Sequence, residues 1–228
     1  MTAHRPLLCA ATLLLAAVAF PAAAQDAAKL PADLDATSLA RLPFLQRKDV
    51  TDEATQEVFD MFDRSKGRDP EDTLTGPLAF AGYNGYVAKA LLDLHDAAVG
   101  QSALSPHVRE LAILVACRET NFSLEFSGHA VAGVKAGVDP KVVDLVRNNG
   151  AVAGLDEADA AVIRFGRALL RDHKVDSATF AKVVELFGKK GAMDLVAVLS
   201  TYAVSGFYAI AVDEHVPAGV QALPMASK

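Results

Sequence analysis

The chain has 228 residues, 22 Lys and Arg against 28 Asp and Glu, and a formal charge of −6 at neutral pH. A mildly acidic chain without a basic block is a poor candidate for nucleic-acid binding. Its length suits one domain with a real core.

In chain order, His4 and Arg5 form a short positive start, and Leu7 to Phe20 is an apolar run of signal-peptide length. Pro21-Ala22-Ala23-Ala24 then supplies small residues for cleavage, so 1–24 reads as a bacterial export signal and the destination as the periplasm. A bilayer span needs ~20 apolar residues, more than this run offers. Cleavage would remove Cys9, leave Cys117 alone and exclude an intramolecular disulfide. With the signal gone, no membrane association is expected. The apolar stretch Leu195 to Val212 is interrupted by Ser200, Thr201, Ser205 and Gly206, which suits a buried helix.

Residues 25–75 read as an N-terminal arm with one helix, Thr51 to Ser65, whose apolar face holds Val58, Phe59 and Phe62. A polar loop, Gly67 to Gly76, closes this region. Tyr83 to Val99 has helical spacing in Val87, Leu91, Leu94 and Ala98. Ser105 is an N-cap followed by Pro106, opening a helix to about Thr120. A break at Asn121 precedes a second helix to Ala136, closed by Gly137. Asp139-Pro140 starts a helix to about Arg147, Asp156 caps one to about Asp172, and Asp176 caps another. Gly188 and Gly191 frame the turn into a last helix, Ala192 to about Val212. Residues 76–217 form the main unit and 218–228 a tail. No stretch alternates as a strand does, so the fold class is all-α, a helical bundle.

The segment Ser105 to Gly137 carries the candidate chemistry. Glu110, Cys117, Glu125 and His129 sit in two otherwise apolar helices, where titratable groups are costly unless paired or used. Glu125 and His129 are four residues apart and share a helical face. Cys117 lies seven residues after Glu110, about two turns, so those two also share a face. A carboxylate beside an imidazole raises its pKa and orients the ring for proton transfer; the same spacing also makes ordinary surface pairs. His107, Arg109 and Arg118 are candidates to hold a substrate carboxylate. A helix-end ion pair is the plainer reading for His107. Tyr83 and Tyr86 are candidates to line a pocket. Asp213-Glu214-His215 is a weak metal-ligand pattern, and His95 and His173 read as surface or helix-end residues.

The runs Arg109-Glu110-Leu111-Ala112-Ile113-Leu114, Glu125-Phe126-Ser127-Gly128-His129 and Ala136-Gly137-Val138 resemble the carboxymuconolactone decarboxylase family, within the alkylhydroperoxidase D-like superfamily. The resemblance covers roughly 76–217. It implies an alkylhydroperoxidase D-like helical bundle, homo-oligomers (trimers or hexamers), and no metal or organic cofactor. In peroxidase members a Glu on the first helix is followed by Cys-X-X-Cys and a His. Glu110 and His129 match, but Phe122 and Glu125 stand at the cysteine positions. A dithiol peroxidase needs a low-pKa thiol and a resolving partner, so this departure points away from thiol chemistry.

The resemblance implies a cofactor-independent decarboxylase-like enzyme acting on a small organic acid or lactone, and the signal-like start makes it an exported one. His129, oriented by Glu125, is then the acid/base and Glu110 a second proton-handling group. Arg118, Tyr83 and Cys117 are the candidates around the substrate. The alternatives are a peroxidase or antioxidant protein using Cys117, and an oligomeric binding protein without turnover.

Overall fold

The computed structural model describes residues 30–66, 73–76 and 79–225, and of 62–66 the backbone only. The expected export signal, the side chain of Phe62 in the arm helix, most of the 67–76 loop and Pro77 fall outside that description. Among the described residues there are seven α-helices and no strand: α1 (Glu53–Lys66), α2 (Gly85–His95), α3 (Pro106–Glu119), α4 (Ser123–Lys135), α5 (Pro140–Arg147), α6 (Glu157–Leu170) and α7 (Ser177–Ala211).

Local chemistry sets most helix ends. The Ser105 hydroxyl accepts the Val108 N–H at 3.3 Å, with Pro106 in the first turn. Asp139, Asp156 and Asp176 start α5, α6 and α7 by accepting backbone N–H groups at 2.8–2.9 Å. After α4, Gly137 has φ of 97°, which lets Val138 N–H reach Gly133 C=O at 2.9 Å and Gly137 N–H reach Val134 C=O at 3.1 Å. That paired closure needs a left-handed residue, for which glycine is the least strained choice. Gly188, at φ 70° and ψ 172°, breaks α7 into two arms where the sequence placed a turn.

The expected helix over Tyr83 to Val99 is divided. Tyr83 ends a short 3-10 turn, Asn84 caps α2 through Val87 N–H, and beyond His95 the chain widens into a π turn, Asp96–Gly100. Apolar spacing does not distinguish an α from a π continuation, because both bury Ala98.

α3 is the axis of the bundle. Leu111, Ala112, Ile113, Leu114, Val115, Ala116 and Cys117 are all at most 1% exposed, because α4, α6 and α7 pack around this helix. Its residues are apolar on every side, as a central helix requires. Two glycines admit the neighbours: a Cβ on Gly166 of α6 would strike Val115, and one on Gly206 of α7 would strike Thr120. α7 is long and apolar enough to cross a membrane by composition, but half of its most apolar window is buried in the bundle. A second small core, including Val58, Phe59, Leu74 and Leu92, lies under α1 and α2.

The arm is stitched to the far end of α7. Arg41 N–H donates to Val212 C=O at 2.7 Å, and His215 N–H to Leu39 C=O at 2.9 Å. The tail also packs: Leu223 is 4% exposed and its N–H donates to the Ser123 hydroxyl at 2.9 Å.

Candidate active site

Three helices bring a compact set together. α3 contributes Glu110, α4 contributes Glu125 and His129, and α7 contributes Tyr202. His129 Nδ1 lies 2.7 Å from Glu110 Oε2 and its Nε2 lies 3.1 Å from Glu125 Oε1. The three side chains are 16–19% exposed, so the group is shielded without being sealed.

The proton count is informative. A neutral imidazole has one N–H and can donate to one carboxylate; only the imidazolium donates to two. Burial pulls the His129 pKa down, but hydrogen bonds to Glu110 and Glu125 and their charges outweigh it and lift the value to about 9. His129 is therefore a cation at neutral pH, holding a proton that either carboxylate can share.

Tyr202 closes one side. Its ring meets the His129 ring edge-on, centroids 5.1 Å apart at 86°. Its hydroxyl lies 3.3 Å from His95 Nε2, and His95 Nδ1 lies 3.4 Å from Asp96 Oδ1. Burial, and then the Glu125 charge, push the phenol pKa well up, so Tyr202 keeps its proton. Glu214, just past α7, is lifted to about 7 by burial and by Glu125.

The remaining sequence candidates separate. Cys117 is fully buried, and its pKa is raised well above the usual value by burial, then by Glu125 and Glu110. A thiol held neutral there is a weak nucleophile. Tyr83 is half-exposed, and its hydroxyl donates to Pro43 C=O at 2.8 Å, tying down the arm. Arg118 is not brought to His129: its side-chain partner is Asn121, and its charged neighbours are Glu119 and Arg171. Arg109, nine residues earlier on the same helix and so on the opposite face, is the arginine whose charge is felt at Tyr202. His107 pairs with buried Asp159 at 2.7 Å and pins α3 to α6.

Sequence reasoning passed over Tyr202; it read His95 as a surface or helix-end residue, and His95 does end α2 with its side chain 37% exposed, but its contact with Tyr202 was not foreseen. The available signal was a polar-tipped aromatic inside the most apolar helix; nothing local connected it to a histidine 107 positions earlier.

No family model matches the chain, and no curated protein matches it. Solved structures do. An uncharacterized peroxidase-related protein from Silicibacter sp. TM1040 superposes with a TM-score of 0.60 at 19% identity, over 82% of this chain and 95% of the other. The alkylhydroperoxidase AhpD core of an uncharacterized peroxidase-related protein from Ralstonia eutropha JMP134 gives 0.60 at 20%, over 79% and 93%. The debrominase Bmp8, as a cysteine-to-alanine variant in complex with 2,3,4-tribromopyrrole, gives 0.57 at 14%, over 81% and 93%. The chain therefore has the all-α alkylhydroperoxidase D-like fold.

Proposed function

We propose that this protein is a cofactor-independent enzyme that moves protons on a small organic acid or lactone, in the manner of carboxymuconolactone decarboxylase. The observation that carries the reading is the His129 imidazolium held between Glu110 and Glu125. A decarboxylation breaks a C–C bond, releases carbon dioxide and leaves an electron pair that a conjugated carbonyl can accept; a proton must then reach carbon. His129 holds that proton. Its bond to Glu125 is the longer of the two, so Nε2 is the nitrogen that turns to substrate while Glu110 keeps the ring oriented. After transfer the ring is neutral, its Nδ1–H stays on Glu110, and solvent protons return through Glu125.

Arg109, whose Nε is buried without a hydrogen-bond partner, is the cation placed to hold a substrate carboxylate. The signal-like start supports export, and a periplasmic enzyme would act on a different compound from the intracellular lactone. Exposed Tyr86, Val131, Phe207 and Ile210 are apolar surface that a homo-oligomer, trimer or hexamer, would cover.

The test is turnover of carboxylated lactones by the pure protein and by His129→Ala. A rate that falls about 100-fold or more supports the assignment; equal rates overturn it. A binding role without turnover is the second reading, favoured by one fact: both ring nitrogens already have partners within the protein. It predicts ligand binding with no product at any pH. Cys117 burial stands against the thiol peroxidase, which requires peroxide to modify that sulfur, a mass change visible in the intact protein.

A further inference from the structure

Where α3 and α6 end, Arg167 and Arg171 gather at Glu119, whose side chain is 6% exposed, and Arg118 lies close enough to feel the charges of Glu119 and Arg171. Arg171 takes both carboxylate oxygens of Glu119, with Nε at 2.7 Å and Nη2 at 2.6 Å, and also reaches Asn149 Oδ1 at 2.7 Å. Arg167 is left 3.9 Å from the same carboxylate and gives one N–H to Gly150 C=O at 2.9 Å. Arg118 is only 5% exposed and reaches the Asn121 amide oxygen at 3.4 Å. Arg118 Nε and Arg167 Nη2 are buried with no hydrogen-bond partner. Asp172 adds its charge to Arg171, at the exposed edge.

A buried N–H without an acceptor is costly, and more so on a charged group. A guanidinium cannot escape by losing its proton. Burial and the charge of Arg171 both work against Arg118 and Arg167. α3, α5 and α6 end nearby, and helix C-termini favour cations. That accounts for the sign of the charge, yet the two orphan N–H groups reach no carbonyl.

We propose that this cluster is a small-oxyanion site, separate from His129, taking a carboxylate or a phosphate. Such an anion offers two or more acceptors to guanidinium forks. Arg171, 43% exposed, marks the open side. Nine residues of α3, roughly 13 Å of rise, separate Glu110 from Glu119.

The test is to melt the full chain at constant ionic strength in chloride, inorganic phosphate and succinate. A saturable rise in Tm with phosphate or succinate, beyond chloride, is expected, and the anion acting at lower concentration identifies the chemistry. Arg118→Gln and Arg167→Gln should each weaken that effect about tenfold to hundredfold. In the wild type the Arg118 Nε–H resonance should shift with the same midpoint, which decides the matter even if a variant fails to fold. Neither anion exceeding chloride overturns the proposal, as does a midpoint unchanged in both variants or an Arg118 resonance that stays still.

Discussion

The two ends of α3 carry opposite imbalances. At Glu110, the His129 cation lies between carboxylates: Glu110 and Glu125 in contact, with Glu214 sharing the field of Glu125 and Arg109 reaching the group only through its charge. At Glu119, one buried carboxylate lies near three guanidiniums, with Asp172 acting only from the exposed edge. The first cluster relieves its imbalance with protons, because His129 rises to about 9 and Glu214 to about 7. The second has no titration available near neutral pH and must rely on carbonyls or anions. A proton-buffered cluster suits chemistry; a proton-locked one suits binding or structure.

Glu119→Gln should produce the largest loss of stability, about 3 kcal/mol in urea unfolding at pH 7, because it strands buried guanidiniums. Glu110→Gln should cost less than Glu119→Gln at pH 9, since His129 can shed its proton when a carboxylate is removed. Equal losses at pH 9 would erase the distinction between the clusters.

Next in size is a pH effect. His129 has a folded pKa of about 9, above its ordinary value of 6.5. Its contribution is therefore fully present below pH 6.5 and is lost as pH rises through 9. The loss should be on the order of 3 kcal/mol between those limits, and His129→Gln should flatten that part of the unfolding curve.

Glu214→Gln should have the opposite sign. The folded pKa of Glu214, about 7, lies above the ordinary 4.5, so its ionised form is disfavoured in the fold. Its stabilising contribution is complete below 4.5 and lost as pH rises through 7. The neutral amide should thus stabilise the protein at pH 8, by on the order of 3 kcal/mol at most; a destabilised variant would remove Glu214 from the group around His129. The smallest effect is Tyr202→Phe, which keeps the ring against His129 but loses the His95 hydrogen bond, about 1 kcal/mol. The His95 ring signals should shift in its NMR spectrum; unchanged signals would show that the two side chains do not meet.

Much of the fold was legible because it is written in short-range chemistry. Ser105-Pro106, Asp139-Pro140, Asp156, Asp176 and Gly137 each act within a few residues of themselves. The π turn after His95 was not legible, since apolar spacing is shared by α and π continuations.

The site divides along the same line. Glu125 and His129 meet because four residues bring side chains onto one helical face, whatever the rest of the chain does. The sequence by itself determined that pair, the helical class and most of the helix ends. Only the tertiary structure decided that Glu110 reaches the far nitrogen of the same ring and that Tyr202 covers it. It also decided that Arg118 reaches Asn121, in the field of Glu119 and Arg171, rather than His129. Those contacts join separate helices, and their distances depend on how α3, α4, α6 and α7 cross, which no local period encodes.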